Sequence, residues 1–435
     1  MRLATRYALL AAAGASVVLA GCGSDGGGTT EGPAATPSTA AAVSTSVKVG
    51  RAANEPFTVQ ATDLGIHSYT TQPEVPTKSL RLTCFPNWAS ANPAPGKFSW
   101  ADFDAGLERA ESWGFTDIMY SFCATPKWAG TPVEGTDQAA FGPGTSQPPK
   151  NMKVWKDWVS AVAKRYKGRI TGYEVWNEPS SPQFFAGTPQ QMAKMTQVAY
   201  DAIKAADPDA YVMSASAQTH NPDFYKNFFP PYLKGIKKLG WPVDGMALHF
   251  YPSGGGTPQT RVEQIEMVQA ELDKVGTPED LPLWDTEVNY NVGLPGGEPE
   301  GRITGQRAAA WTAVTYLDSW RTGVRRPYWY LWSADYYSFP GIQMRVGDAS
   351  TAALNTLGEW VIGAQFQGCS EEAGAVKCSF DKEGAFTVAY STEGTASVAL
   401  DGTADVCPVY GAECEQRSGS LTVNDTPVRI RSAAS

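Results

Sequence analysis

The sequence predicts an α/β protein: a (β/α)8 TIM barrel followed by a small antiparallel β-domain. Three observations lead there. Eight short apolar runs alternate with amphipathic stretches through the middle of the chain. The segment from 56 to 363 that holds them matches the size of one closed barrel, usually about 250 residues or more. After Gly363 the helical period gives way to period-two alternation between Gly-rich turns.

The candidate strands are "TDLGIHS", "LRLTCF", "TDIMYSF", "TGYEVW", "AYVMSAS", "DGMALHF", "LPLWDTEV" and "YWYLWS". Between them lie helical stripes. Trp155, Trp158, Val159, Val162, Ala163 and Tyr166 recur at helical spacing, with Gly168 just beyond. Phe103, Leu107 and Ala110 form a stripe closed by Gly114, and Ile265, Val268, Leu272 and Val275 one closed by Gly276. Ala310, Val314 and Leu317 repeat the pattern before Gly323. Strand and helix in strict alternation predict a parallel arrangement, and the count of eight favours a closed barrel over an open sheet. No GxGxxG or Walker-type loop follows the first strand, which weighs against a nucleotide site.

From 364 to 435 the pattern is different. In "AFTVAYS" Phe386, Val388 and Tyr390 share one face, and "SVAL" and "VRIR" alternate likewise. This segment is read as the small β-domain, a packing partner of the barrel or a sugar binder.

The first 21 residues have the form of an export leader. Arg2 and Arg6 precede the apolar stretch "ALLAAAGASVVLA", too short to span a bilayer, which ends in "LAGC". Leu19 to Cys22 resembles a bacterial lipobox, which implies cleavage before Cys22 and lipidation of its sulfur. An ordinary secretory leader with a chance cysteine is the alternative. Residues 22 to 55, mostly Gly, Ala, Ser, Thr and Pro up to about Val49, cannot build a core and are expected to form a flexible tether. The expected location is extracytoplasmic, with membrane contact through the lipid alone.

The net charge is −9, and no Lys/Arg stripe is present, so nucleic acid is excluded as a partner. The six remaining cysteines suit an oxidising exterior and allow 15 connectivities. Local spacing favours Cys369 with Cys378 and Cys407 with Cys414, leaving Cys84 and Cys123 at the ends of neighbouring strands. No CxxC or Cys/His cluster suggests zinc, and neither a metal nor a cofactor is expected. The oligomeric state is open.

Function in such a barrel sits at the C-terminal ends of the strands. There the chain offers Asn177 and Glu178 on the fourth strand and Asp285 and Glu287 on the seventh. Arg81 lies on the second, His67 ends the first, His249 and Tyr251 end the sixth, and Trp332 ends the eighth. Two carboxylates across a barrel mouth are what glycosidic cleavage needs, one protonated and one ionised. Arg81 is expected to help hold the nucleophile ionised, and Trp332 and Trp128 to offer flat faces to sugar rings. Glu174 is deeper and is read as structural, paired with a buried Arg or hydroxyl. By strand alternation it shares a face with Trp176 and Glu178. Asp285 is also deeper, which favours Glu287 as nucleophile.

"VWNEP" ending strand four and "LWDTE" in strand seven resemble the clan of retaining glycoside hydrolases that includes families 5, 39 and 51. "GKFSWADFDAGLERAESWGF", "TPKWA", "YKGRITGYEVWNEP", "ALHFY" and "WYLW" are most similar to family 39. The resemblance implies Glu178 as acid/base, Glu287 as nucleophile, Asn177 as ligand of the sugar 2-hydroxyl, and His249 and Tyr251 in the sugar subsite. Where relatives carry an aromatic and an acid after the strand-two Arg, this chain has Thr83 and Cys84. The implied partner is an oligo- or polysaccharide. A barrel kept as a non-catalytic carbohydrate-binding scaffold is the alternative. The sugar, and endo or exo action through loops such as "VGLPGGEPEGR" and "PSGGGTPQTR", are left open.

Overall fold

The computed structural model describes residues 50–291, 302–332 and 341–433. Cys22, the leader, the tether up to residue 49 and all but the last residue of the loop 292–302 lie outside the described residues. The strands are β1 (Phe57–Thr58), β2 (Gly65–Ile66), β3 (Ser79–Thr83), β4 (Asp117–Ser121), β5 (Gly172–Glu174), β6 (Tyr211–Met213), β7 (Ala217–Gln218), β8 (Met246–His249), β9 (Leu283–Val288) and β10 (Val324–Trp329). Helices α1 (Trp88–Ala91), α2 (Ala101–Ser112), α3 (Met152–Arg165), α4 (Pro189–Ala206), α5 (Pro222–Lys238), α6 (Pro258–Val275), α7 (Gly305–Arg321) and α8 (Ala349–Val361) lie between and after them. Six further strands follow: β11 (Gln365–Glu372), β12 (Ala375–Asp381), β13 (Ala385–Ser391), β14 (Ala396–Pro408), β15 (Glu415–Val423) and β16 (Val428–Ser432).

The first sheet runs β6-β5-β4-β3-β2-β10-β9-β8-β7, all parallel. Its two edge strands, β6 and β7, are consecutive pieces of one barrel strand. A bridge from Met213 to Gly245 ties β6 to the start of β8, and β7 pairs with β8 directly. The sheet therefore closes on itself as an eight-stranded barrel. Barrel strands one to four are β2 to β5, strand five is β6 with β7, and strands six to eight are β8 to β10.

The helical stripes dock on this ring. In α3, Trp155, Trp158, Val159, Val162 and Ala163 are all buried, and the Asn151 side chain caps the first turn. Gly276 ends α6 at φ 74°, a left-handed conformation that glycine adopts without a Cβ clash. The eighth strand begins earlier than its apolar run suggests, at Val324. Arg325 and Arg326 conceal its start in the sequence. The Arg325 guanidinium lies 3.5 Å from the Phe57 ring centroid and pairs with Asp63, and Arg326 pairs with Asp117 while covering Trp284. Charges satisfied in this way can stand in a barrel strand.

The second sheet is antiparallel, in the order β1-β11-β12-β13-β16-β14-β15. Its first strand comes from ahead of the barrel, so the two units share chain at both ends. Phe57 meets Trp320 of α7 and Phe366 of β11, and the Tyr390 hydroxyl donates to Asp318 of α7 at 2.5 Å. Packing against α7 is thus a visible role of this domain. Cys369 is bridged to Cys378 and Cys407 to Cys414 within it, and Cys84 to Cys123 across the ends of β3 and β4.

Gly65 of β2 lies flat against the Tyr328 ring, and a Cβ there would sit 2.5 Å from the nearest ring carbon. The ring is held between His67 and Trp284 and by its hydroxyl to Ser79, so it has no direction in which to retreat. Gly65→Ala is expected to destabilise the fold by about 1–3 kcal/mol. Gly172→Ala, where a Cβ makes ordinary contact at 3.6 Å, should cost far less. Paired urea unfolding curves check this.

Candidate active site

Side chains on the inner face of the barrel stack in layers. Lowest, at the N-terminal ends of the strands, Ser79 bridges Asp117 at 2.6 Å and the Tyr328 hydroxyl at 2.8 Å. Above it Met119, Met213, Ala247, Trp284 and Tyr328 fill the axis. The next layer is polar and centres on Arg81, which has no exposed surface.

Arg81 Nη1 donates to Glu287 Oε1 at 2.7 Å and to Thr83 Oγ1 at 2.6 Å. Its Nη2 donates to Glu174 and, at 2.9 Å, to Asn177 Oδ1, with His249 Nε2 at 3.3 Å. Burial works against the guanidinium charge, yet Glu174 and Glu287 together raise its pKa above the ordinary value. Burial also pushes Glu174 upward, but the Arg81 charge prevails and its pKa is lowered. Ser121 and Ser216 hydroxyls also donate to Glu174 Oε1, at 2.7 and 2.8 Å. Glu174 is therefore the deep anchor of Arg81, with both an arginine and hydroxyls as partners.

Two histidines extend this network, and their partners decide which nitrogen carries the proton. The Thr286 carbonyl, 2.9 Å from His67 Nε2, can only accept, so His67 donates there. Its Nδ1 then accepts from the Thr83 hydroxyl at 3.0 Å. Burial first, then Arg81, hold the His67 pKa well below its usual value. In His249 the nitrogen facing Arg81 must carry the lone pair, so Nδ1–H donates to Glu178 Oε1 at 3.0 Å. Burial lowers the His249 pKa to about 4 against the opposing pull of Glu287.

Glu178 reaches this point by breaking the strand geometry. β5 ends at Glu174, and Glu178 has φ 45°, a left-handed conformation that costs a non-glycine residue about 1–3 kcal/mol. Trp176 does not share its face, contrary to strand alternation. The Trp176 indole packs on Trp155 and Phe185 in the helix layer. Burial raises the Glu178 pKa, more than His220 and Arg81 lower it.

On strand seven a register shift falls between Leu248↔Asp285 and His249↔Glu287. The offset sends Asp285 outward to Arg261 of α6 at 2.6 Å and turns Glu287 inward. There the Tyr251 hydroxyl donates to Glu287 Oε2 at 2.9 Å. Glu178, His249 and Glu287 each place one ligand atom within 4.8 Å of the others, a trio that a cation could use among the described residues.

Two expected contacts are corrected by the geometry. Trp332 is 2% exposed and lies within the hydrophobic core, so it offers no face to a sugar. Tyr330, two residues earlier, stands in its place, with its ring 5.1 Å from His67 and 6.5 Å from Tyr251. His67 has both ring nitrogens committed to protein partners, so it positions Thr83 rather than binding substrate. Trp128 lies apart from the carboxylates, half-buried in the loop after β4, where it lines an open-sided cavity of about 460 Å³. Sequence reasoning also passed over two residues. Thr83 was read only as a departure from relatives, though its hydroxyl joins Arg81 to His67. The other is His220, whose ring lies 5.8 Å from Tyr251, with Nδ1 buried and unpartnered among the described residues.

Carboxylates on strands four and seven are joined through a buried arginine and a strand-six histidine, the arrangement expected from the sequence's resemblance to the clan of barrel glycosidases. Residues 127–300 match the model of the family described as "Glycosyl hydrolases family 39". The chain is similar to a β-xylosidase of Geobacillus stearothermophilus, 27% identical over 180 residues, which is 36% of this chain and 35% of that one. The match thus spans about a third of this curated relative's length. Among solved structures, a family 39 glycoside hydrolase from Bacteroides cellulosilyticus WH2 superposes with TM-score 0.62 at 16% identity, covering 87% of this chain and 82% of that one. A family 39 β-xylosidase from Caulobacter crescentus gives TM-score 0.60 at 17% identity, covering 87% and 97%. The chain shares the barrel fold of these structures and is similar to family 39 over residues 127–300.

A pH dependence of stability follows from His249. Its folded pKa of about 4 lies below the ordinary histidine value of 6.5. Between those values the unfolded chain binds the proton and the native protein does not. The contribution is full above pH 6.5 and is lost as pH falls through about 4, to a total of about 3 kcal/mol. Urea unfolding at pH 7, 5.5 and 4 should show the loss, and His249→Gln should reduce it, leaving the part that His67 contributes in the same direction. An unchanged slope in the variant would count against the assignment.

Proposed function

We propose that the protein is a retaining glycoside hydrolase that cleaves O-glycosidic bonds in an extracellular or cell-envelope glycan. The observation that carries this reading is the convergence of Glu178 and Glu287 on His249 Nδ1, at 3.0 and 3.6 Å. One oxygen of each carboxylate lies within 4.8 Å of the other, which favours the closer spacing of retaining enzymes, about 5–5.5 Å, over the wider inverting one.

The two environments divide the labour. Glu178, with a pKa raised by burial, protonates the departing glycosidic oxygen. Glu287, ion-paired to Arg81 and oriented by the Tyr251 hydroxyl, attacks the anomeric carbon and forms a glycosyl-enzyme. Glu178, now a carboxylate, takes a proton from the incoming water, whose oxygen displaces Glu287. Asn177, its Oδ1 fixed by Arg81, is left to donate its amide N–H to the sugar 2-hydroxyl. The xylosidase activity of relatives makes aryl β-xylosides the first substrates to try.

We further propose that the chain is lipid-anchored through Cys22. Residue Arg51 enters the fold at the end of the barrel opposite the carboxylates, bonding Thr277 O in the turn that leads from α6 into β9. A tether leaving there would begin on the face of the barrel away from the catalytic mouth. Fatty-acid labelling that persists in Cys22→Ala would overturn the anchor.

Glu287→Gln is expected to lower turnover of an activated aryl glycoside by at least about 10³-fold. Glu178→Gln should spare the first step with such a leaving group but slow deglycosylation by about 10²–10⁴-fold. Proton NMR of the first sugar released should show the anomer of the substrate, and the opposite anomer would refute retention. If wild type and Glu178→Gln were equally inert across a broad glycan panel, the non-catalytic binding reading would replace this one.

A further inference from the structure

We propose that the cavity beside the catalytic mouth is a second sugar subsite, built for a ring that carries a carboxylate. The proposal rests on the glycosidase reading and adds a substrate class to it: an acidic oligo- or polysaccharide.

Position is the first argument. The cavity is walled by Ala89 and Pro93 from the loop after β3, and by Pro126, Lys127, Trp128 and Phe141 from the loop after β4. Both loops leave the C-terminal ends of barrel strands, the face that holds the carboxylates. The Phe122 carbonyl accepts from the Asn177 N–H at 3.0 Å, and Pro126 lies four residues further along the chain. At no more than about 3.6 Å per residue, and with the 3.0 Å bond added, the wall begins within roughly 17 Å of the Asn177 backbone. Two backbone bonds, Ala140 N–H to Gln183 O at 2.9 Å and Ala186 N–H to Ser146 O at 2.7 Å, seam this loop to the segment following Glu178. Cavity and cleavage site therefore share one continuous rim.

Chemistry is the second argument. Trp128 is half-buried and cannot swing freely. Its indole N–H donates to Asn92 O at 2.8 Å, and Lys150 lies 5.5 Å from its ring centroid while donating to its carbonyl. A fixed aromatic face suits the C–H face of a pyranose at little entropic cost. Phe141 adds a second ring, itself packed on Phe184 at 5.9 Å. Lys127 is exposed on the cavity wall and has no acidic partner among the described residues, in a chain with 44 acidic against 35 basic residues. An unpaired ammonium beside a fixed ring selects a sugar with a carboxylate at its edge. The volume of about 460 Å³ lies within the range of small-ligand sites.

The test separates binding from turnover. Uronic-acid-bearing oligosaccharides and their carboxyl-reduced counterparts are titrated calorimetrically into full-length Glu287→Gln protein, with and without Trp128→Ala or Lys127→Gln. Trp128→Ala is expected to weaken both ligands about tenfold or more. Lys127→Gln should weaken the acidic ligand by a similar factor and leave the reduced one unchanged. In the otherwise wild-type chain, Lys127→Gln should not alter kcat/KM for an aryl monoglycoside, which occupies the cleavage site alone. Equal affinity for acidic and reduced ligands, or a Lys127→Gln effect common to both, would overturn the carboxylate assignment. Unchanged binding in Trp128→Ala, or an equal loss on the aryl glycoside, would overturn the subsite. Failure of the glycosidase reading shows separately, as a wild type that hydrolyses no aryl glycoside.

Discussion

The buried guanidinium of Arg81 is the interaction on which the site depends. A cation without access to water must be matched by charge and hydrogen bonds, or it destabilises the fold by several kcal/mol. Here the match is made by groups from four barrel strands: Thr83 on its own strand, Glu174 and Asn177 on the fourth, His249 on the sixth and Glu287 on the seventh. Because Thr83, Glu174, His249 and Glu287 are each held by a second side-chain or backbone partner, the cluster holds the carboxylates in register without help from substrate. Satisfying the arginine and preorganising the site are one and the same requirement.

The layers beneath explain why such a cluster is tolerated. An apolar band of Met119, Met213, Trp284 and Tyr328 separates it from a second polar layer around Asp117 and Arg326. Each polar layer is closed by its own ion pairs, and the band between them supplies packing. The C-terminal sheet takes part from outside. By gripping Asp318 and Phe57 it steadies α7, which in turn backs Asp285 through Arg261 and Ser319.

Much of this was legible in the sequence. The α3 stripe, the glycine stops and the short apolar runs reported local preferences that tertiary packing did not override. α5 was less legible, because Pro230 and Pro231 sit within a segment that stays helical under the burial of Phe228, Phe229 and Tyr232. Strand alternation was the weaker guide. It placed Trp176 with Glu178 and could not foresee the offset that parts Asp285 from Glu287, because both depend on departures from regular strand geometry. Trp332 misled for a related reason: being large and flat does not say whether a ring faces a ligand or the core.

By itself, the sequence determined the order of strands and helices, the two-unit organisation and the residue types available at the barrel mouth, since these follow from periodicity and from chemistry carried by single residues. Only the tertiary structure decided which of those residues meet. Glu178 and Glu287 are 109 residues apart in the chain. They converge because ring closure, a left-handed turn at one and a register shift at the other aim both at the same histidine. The structure likewise turned Thr83 into a link between Arg81 and His67, and put Tyr330 where Trp332 was expected. Such assignments depend on which neighbour satisfies a buried donor, and that is a property of the packed barrel.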